Sequence, residues 1–267
     1  MQEIVTELLK CPNGMPVFLA QPKKPGRYPA VVLMHERYGL VQHTQDLATR
    51  CAADGFVAVA PNFFFRHPDP KALTAGDSRY DMSDPESVDS LEAVLSVLES
   101  QRLADINKIA VAGFCQTGRH PLVFARTRPI QAVVVWYGAA NGREWDVNAL
   151  QPEPLDKIIA ALPCPVFGAF GSDDHLISIP DVGRFRNALE QHNRSYDIHL
   201  YAGAPHGWLN DTMPGRYRKP QAEAAWSAQQ RFLRAVFAGE WPGSQVRWQF
   251  ECEFGRDYDF SKNRRQA

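Results

Sequence analysis

The chain has 267 residues, of which 45% are hydrophobic and 22% are charged, so it is long enough for one large α/β domain. Its formal net charge is −1 at pH 7, and without a basic run in the body of the chain nucleic acid is not expected as a partner. No apolar stretch approaches the ~20 residues of a membrane span, and the acidic N-terminus does not resemble a signal peptide. The five cysteines contain no C-x-x-C spacing, so we expect no metal site, no cofactor and reduced thiols in a cytoplasmic protein.

The first predicted elements are a hairpin and two strand–helix units. EIVTELL and MPVFLAQ are separated by a Pro-Asn-Gly turn and read as a β-hairpin. PAVVLMHE is a continuous apolar run, which is typical of a strand buried on both faces. Residues 43–54 have helical spacing and end at Gly55, after which FVAVAPNFF is the next strand and residues 85–101 the next helix.

The same alternation continues to residue 237. The later strands are KIAVAGF, IQAVVVWYG, CPVFGAFG and SYDIHLY, and the later helices cover residues 116–125, PDVGRFRNALEQH and residues 220–237. Strands that alternate with helices predict right-handed crossovers and a mostly parallel central sheet with helices on both faces. We therefore predict a single domain over residues 1–240.

Residues 241–267 form an extension with a different pattern. QVRWQFECEF alternates strictly, with its apolar side chains on one side: Val246, Trp248, Phe250, Cys252 and Phe254. A period of two predicts an extra, half-buried strand. Three arrangements are open for it, since it could extend the sheet edge, cover another face of its own domain, or pair with a neighbouring subunit in a homodimer.

Residues able to carry chemistry follow several of the predicted strands. In open parallel sheets the functional crevice lies at the carboxyl ends of the strands. Those ends carry a thiol in GFCQTG, two acids in GSDDHLI and a histidine in GAPHGW, which is the chain order of the α/β-hydrolase arrangement. Cys115 lies where a strand turns into a helix, and a helix N-terminus together with a nearby imidazole favours the nucleophilic thiolate. The alternative is a small buried apolar cysteine.

The base and the acid of this candidate triad lie in the two loops that follow the last core strands. His206 occupies a loop of small residues and is predicted to reach the thiol. Asp174 fits the loop pattern G-x-x-D-x-x-I, although Asp173 remains an alternative. The acid would orient the imidazole and stabilise its cation.

A further carboxylate, Glu36, follows the strand that ends in LMH. It faces the same crevice and is predicted to take or give a proton there, the alternative being a solvated residue at a strand end. The backbone N–H groups of Arg37 and Gln116 are placed to hold a developing oxyanion.

Taken together, these motifs resemble the dienelactone hydrolase (carboxymethylenebutenolidase) family. VVLMHERYGL, GFCQTGR, WYGA, GSDDHLI and HGWLNDTMPGRY are similar to that family's motifs in the same order, and the resemblance extends from about residue 3 to residue 237. It implies an α/β-hydrolase fold and hydrolysis of a lactone or ester by Cys115, His206 and Asp174. It also implies that Glu36 accepts the thiol proton when substrate binds.

Two departures from the family pattern bear on the substrate. Thr117 stands where a glycine is often found, so the turn is expected to open slightly. Asn210 stands where an arginine for a substrate carboxylate is expected, and the possible substitutes are Arg79, Arg216 and Arg218.

The expected partner is a small lactone or ester, and three side chains are predicted to contact it: Arg79, Tyr137 and Trp208. Two other functions stay open. One is a thioesterase or carboxylesterase that acts on uncharged acyl groups, and the other is a non-catalytic protein on a hydrolase scaffold that binds a ligand or senses redox state through its thiol.

Overall fold

The computed structural model describes residues 3–100, 102 and 104–253, in which nine strands form one sheet. The strands are β1 (Ile4–Lys10), β2 (Pro16–Pro22), β3 (Pro29–Met34), β4 (Val57–Pro61), β5 (Asp105–Phe114), β6 (Ala132–Trp136), β7 (Val166–Gly171), β8 (Tyr196–Tyr201) and β9 (Trp248–Cys252). The helices are α1 (Gln42–Ala53), α2 (Pro70–Ala75), α3 (Asp84–Ser100), α4 (His120–Ala125), α5 (Leu155–Ala160), α6 (Ile179–Gln191) and α7 (Lys219–Phe237). Two 3-10 turns cover Cys115–Thr117 and Gly142–Trp145.

The sheet is antiparallel at its N-terminal edge and parallel elsewhere. Its order is β1-β2-β4-β3-β5-β6-β7-β8-β9, with β1 and β2 forming an antiparallel hairpin and β2 antiparallel to β4. From β4 to β9 every neighbouring pair is parallel. The predicted hairpin and the mostly parallel sheet are confirmed.

The core has two layers, one on each face of the sheet. Alternate residues of a central strand point to opposite faces, so in β3 Val32 joins one buried cluster and Val31 the other. This double burial explains why the central strands read as continuous apolar runs rather than as alternating ones.

The helix that follows Cys115 differs from the prediction. Instead of one helix over residues 116–125, a 3-10 turn covers Cys115–Thr117 and α4 begins at His120. Pro121 provides a physical reason, because a continuous α-helix from Gln116 would place this proline in the helix interior, where it has no N–H to donate. The short helices α2 and α5 were not predicted.

Strand β9 extends the edge of its own sheet, which is one of the three arrangements left open. It pairs in parallel with β8, from Tyr196↔Trp248 to Leu200↔Cys252. Among the described residues, β9 has a neighbouring strand on one side only. The expected burial of its apolar side is wrong for most of that side, since Val246 is 47%, Trp248 49% and Phe250 39% exposed, whereas Cys252 packs against the core. Phe254 lies outside the described residues.

Within the described part of the chain, no helix has the length and apolar character needed to cross a membrane.

Candidate active site

The turn that carries Cys115 is tight and strained. Cys115 has φ +54°, in the left-handed region that non-glycine residues seldom adopt. A Cβ on Gly113 would lie 2.5 Å from the Thr117 carbonyl oxygen, and one on Gly118 would lie 2.7 Å from Gly138 Cα after β6. Both positions therefore require glycine, and the glycine three residues after the cysteine allows the close approach of the turn to its neighbour.

Thr117 does not open the turn, contrary to expectation. Its side chain is fully buried, and its hydroxyl accepts a hydrogen bond from Phe114 N (3.0 Å). The hydroxyl donates towards the His35 carbonyl oxygen at 2.9 Å, which ties the turn to the end of β3. Because Gly118 makes the close approach to residue 138, the Cβ of Thr117 causes no clash there.

A second close approach joins the loops after β7 and β8. A Cβ on Gly171 would lie 2.0 Å from the Ala204 carbonyl oxygen, which accepts a hydrogen bond from Asp173 N (3.1 Å). This contact brings the acid loop against the histidine loop, although the two are about thirty residues apart in the chain.

Three of the predicted catalytic side chains form one continuous chain of contacts. His206 Nε2 lies 2.9 Å from Cys115 Sγ, and His206 Nδ1 lies 2.8 Å from Asp174 Oδ2. The other oxygen of Asp174 accepts hydrogen bonds from Leu176 N (2.8 Å) and Ile177 N (3.1 Å). Asp173 is instead exposed and accepts a hydrogen bond from the adjacent serine hydroxyl, so it is Asp174 that meets the imidazole.

The charge of His206 follows from these contacts. Burial lowers the pKa of His206, but its hydrogen bonds to Asp174 and Cys115 outweigh burial and raise the pKa to about 10. At neutral pH the ring is therefore an imidazolium that donates from both nitrogens. That cation lies 2.9 Å from Cys115 Sγ.

Glu36 belongs to a separate set of contacts beside this chain. It is 6% exposed, and Oε1 accepts a hydrogen bond from the Tyr137 hydroxyl (3.0 Å) while Oε2 accepts one from Asn210 Nδ2 (2.8 Å). Asn210 Oδ1 accepts from both the amide (3.1 Å) and the hydroxyl (2.6 Å) of Thr212, which fixes the orientation of the amide group. We call Glu36, Tyr137, Asn210 and Thr212 the Glu36 network.

The donors of the Glu36 network are neutral. Burial, together with the charge of Glu36, raises the pKa of Tyr137 well above its usual value, so the phenol stays protonated and keeps donating.

His35, one residue before Glu36, is also neutral because burial lowers its pKa to about 4. Its Nε2 accepts from Phe63 N (3.0 Å), which leaves Nδ1 to donate to the Glu36 carbonyl oxygen (2.7 Å).

The residues predicted to supply oxyanion donors direct their side chains away from the thiol. Arg37 is the first central residue of a turn closed by Gly39 N to Glu36 O (3.4 Å), and its guanidinium donates to the Gly76 carbonyl oxygen (2.9 Å). Gln116 lies in the 3-10 turn, where the first amides have no intrahelical acceptor, and its side chain donates to the Tyr80 carbonyl oxygen (2.5 Å). Both side chains thus hold the loop before α3.

The three residues predicted to contact substrate lie in two different places. Arg79 forms an ion pair with Asp81 and lines a cavity of about 270 Å³ together with Gln116. Tyr137 and Trp208 are fully buried and face each other with ring centroids 6.0 Å apart, so they support the site from behind and present no open surface. No group of three or more potential metal ligands occurs in the described part of the chain.

A buried ion cluster at the start of α4 was missed by sequence reasoning. Arg119 is 1% exposed and binds both carboxylate oxygens of Asp84, with a further hydrogen bond to the Glu144 carbonyl oxygen (2.9 Å). Burial raises the pKa of Glu144, whose side chain lies beside the same guanidinium. The partners are 35 and 25 residues away, so no local pattern in the sequence indicated them.

Comparison with known proteins decides the family. A sequence model described as the dienelactone hydrolase family matches residues 15–237. The chain belongs to the dienelactone hydrolase family. A putative carboxymethylenebutenolidase from Escherichia coli K12 is 31% identical over 222 residues, which cover 80% of each chain. A probable 2-oxo-3-(5-oxofuran-2-ylidene)propanoate lactonase from Bradyrhizobium is 27% identical over 226 residues, covering 84% of this chain and 90% of that protein.

Solved structures agree with this family membership. The crystal structure of a putative dienelactone hydrolase from Klebsiella pneumoniae superposes with a TM-score of 0.77 at 29% identity, covering 88% of this chain and 99% of that one. An α/β-hydrolase from a deep-sea metagenome has the same fold at 17% identity and a TM-score of 0.66. The predicted α/β-hydrolase fold and family are confirmed, and the protein is a lactone or ester hydrolase.

Proposed function

We propose that this enzyme hydrolyses its lactone or ester through a thioester on Cys115, with His206 as acid and base and Asp174 orienting the imidazole. One observation carries the proposal: the unbroken contacts from Cys115 Sγ to His206 (2.9 Å) and from His206 to Asp174 (2.8 Å), made by loops that follow β5, β8 and β7. A buried structural cysteine does not require an imidazole that is itself held by a buried carboxylate.

The first half-reaction forms the thioester. The Cys115 thiolate bonds to the carbonyl carbon, and the carbonyl π electrons move to oxygen. The amides of Arg37 and Gln116 are suited to hold that oxyanion, because neither side chain is needed for the task. When the intermediate collapses, the C–O bond breaks and the leaving alkoxide takes the Nε2 proton of His206, which becomes neutral.

The second half-reaction releases the acid. Neutral His206 takes a proton from water, and the hydroxide oxygen bonds to the thioester carbon. The C–S bond breaks, which regenerates the thiolate beside an imidazolium. A lactone yields one hydroxy acid, whereas an open-chain ester yields an acid and an alcohol.

Glu36 is given a different role from the one that the resemblance implied. Each oxygen of its carboxylate is already held by one hydrogen bond, Oε1 by Tyr137 and Oε2 by Asn210. His206 already contacts the sulfur, so we infer that the histidine holds the proton and that Glu36 is a positioning residue. It acts through Tyr137, whose ring lies edge-on to His206 at a centroid distance of 5.4 Å.

A second candidate substrate class is favoured by Asn210. One N–H of its amide donates to Glu36, and Arg79 is already paired with Asp81. At Arg79 a substrate carboxylate would therefore have to displace an existing ion pair. At that position the arrangement favours esters or thioesters with an uncharged acyl group over a carboxylate-bearing lactone.

The five cysteines are free thiols, so we propose that the enzyme works in the reducing cytoplasm, with a small molecule as its substrate partner.

Trapping the acyl enzyme tests the mechanism. The protein is mixed with a panel of lactones and p-nitrophenyl esters, with and without a carboxylate, and is quenched in acid for intact-mass and peptide analysis. We expect an acyl mass on Cys115 that disappears in Cys115→Ala. Cys252→Ala is the matched control, because that thiol is also partly exposed, and it should label like the wild type. Hydrolysis by Cys115→Ala at the wild-type rate would reject the thioester mechanism.

The panel also separates the two substrate classes. Faster turnover of neutral esters than of carboxylate-bearing lactones is expected, and the reverse order would reject the uncharged class. A non-catalytic, redox-sensing protein would hydrolyse none of the compounds.

A further inference from the structure

The edge of the sheet at β9 has features that the hydrolase site does not use. Trp248 and Phe250 are two residues apart in β9 and so lie on one face, and Val246 lies just before the strand. Each of the three is between 39% and 49% exposed. Arg186 lies over the Phe250 ring at 4.9 Å, and Trp248 Nε1 donates to the Arg194 carbonyl oxygen (3.1 Å), so the exposed rings are held in place. We call β9 and these side chains the β9 edge.

The backbone of the β9 edge is aligned for a further strand. The carbonyl of Arg247 accepts from Tyr196 N (2.9 Å), and Glu253 N donates to the Leu200 carbonyl oxygen (3.1 Å), so the odd-numbered residues bond to β8. The backbone groups of successive residues point to opposite sides of a strand. Those of Trp248, Phe250 and Cys252 therefore point outward, where another strand would pair.

The sequence of the β9 edge is complementary to itself. In an antiparallel pair centred on Phe250, the outward residues face one another, with Phe250 opposite Phe250 and Trp248 opposite Cys252 of the second copy. In the same register Arg247 lies opposite Glu253 of the second copy, and this ion pair occurs twice. Opposite charges and aromatic pairs at directly opposed positions stabilise antiparallel strands.

The other edge of the sheet lacks this self-complementarity. Strand β1 also exposes two apolar residues, Val5 at 44% and Leu8 at 74%. Because these residues are three positions apart, they point to opposite faces of the strand and do not form one apolar surface.

We propose that the protein forms a homodimer in which β9 pairs antiparallel with β9 of a second copy about a two-fold axis at Phe250. The two sheets then become continuous, and the apolar sides of the two β9 strands lie next to each other on one face, where Phe250 contacts its equivalent and both become less exposed. The interface is isologous, so it closes at two copies and leaves neither β9 edge free. The proposal does not depend on the catalytic mechanism.

Sedimentation equilibrium of the full chain tests the dimer. We expect twice the chain mass of 30.0 kDa for the wild type. Phe250→Lys should raise the dimer dissociation constant by at least about 100-fold, because two like charges would lie only ~5.5 Å apart by Cα across the axis. Leu8→Lys is the matched control on the opposite edge and should remain dimeric. Hydrolytic activity reports that each variant is folded.

A charge exchange tests the register. R247E places two acids opposite each other and should weaken the dimer, whereas the double variant R247E/E253R restores opposite charges and should restore it. A double variant that stays monomeric while folded and active would overturn this register. A wild type that is monomeric at its highest soluble concentration, or a dimer lost in Leu8→Lys and kept in Phe250→Lys, would overturn the proposal as a whole.

Discussion

Two buried carboxylates, Asp174 and Glu36, lie at the carboxyl end of the sheet, yet the groups that contact them differ in charge. Asp174 faces His206, whose pKa is raised to about 10, so this acid is paired with a cation. Glu36 receives its side-chain hydrogen bonds from a phenol and an amide, both of which are neutral.

The role of a buried carboxylate therefore depends more on the group that it contacts than on whether it belongs to Asp or Glu. A carboxylate against an imidazolium stabilises the charge that moves during acyl transfer. A carboxylate that accepts hydrogen bonds from fixed neutral donors is held in one orientation. To leave that orientation it would break two hydrogen bonds, each worth about 1.5–3 kcal/mol when the acceptor is charged. We therefore expect substitutions in the Cys115–His206–Asp174 chain to affect turnover far more than substitutions in the Glu36 network.

The largest effect is expected at the nucleophile. Cys115→Ser should lower kcat/KM for the preferred ester by more than about 10⁴-fold, because a hydroxyl is much harder to ionise against the same imidazole. Steady-state kinetics measure this loss, with Cys252→Ala as the control that keeps wild-type kinetics. Wild-type rates in the serine variant would contradict the thiolate mechanism.

The acid that holds His206 is expected to come next. Asp174→Asn should lower kcat by about 10³- to 10⁴-fold, since an amide neither stabilises the imidazolium nor holds the required tautomer. Asp173→Asn changes the neighbouring, exposed residue and should stay close to the wild-type rate. If the two variants behave in the reverse way, the imidazole partner has been misassigned.

A smaller loss is expected in the Glu36 network. Glu36→Gln should lower kcat by only about 10-fold, because Gln keeps the shape and one acceptor oxygen for Tyr137 or Asn210. A residue that accepts the thiol proton would instead cost ~10²- to 10⁴-fold. The pH profile separates the cases: a positioning role leaves the profile unshifted, whereas loss of a general base removes its ionisation from kcat/KM.

The smallest effect is a change in the titration of His206. Cys115 raises the pKa of this histidine, so Cys115→Ala should lower it from about 10, and the ring should lose its proton at a lower pH than in the wild type. NMR of the ring protons measures the two midpoints. An unchanged midpoint would show that Asp174 alone keeps the ring cationic.

Patterns in the sequence predicted the structure correctly where it depends on residues that are close along the chain. Apolar runs and their periodicity predicted the core strands and helices, and the strand ends predicted which loops carry Cys115, Asp174 and His206. Less could be predicted where a contact joins distant segments. The hydrogen bond from Asn210 to Glu36 spans 174 residues, and the buried Arg119–Asp84 pair spans 35, and neither leaves a periodic trace.

The turn at Cys115 shows where the sequence stops being sufficient. The order of its residues predicted a strand that is followed, at a thiol, by a helix. It did not predict that Gly118 makes the close approach to Gly138, or that the hydroxyl of Thr117 ties the turn to β3. Periodicity likewise predicted that β9 is a strand. The burial of its apolar side depends on whether a second copy of the chain pairs with that edge of the sheet. Local spacing was enough to predict the strands, the helices and the candidate reactive groups. The acid that contacts His206 and the neutral donors that hold Glu36 became known from the folded chain, because those contacts arise when separate loops meet at one end of a parallel sheet.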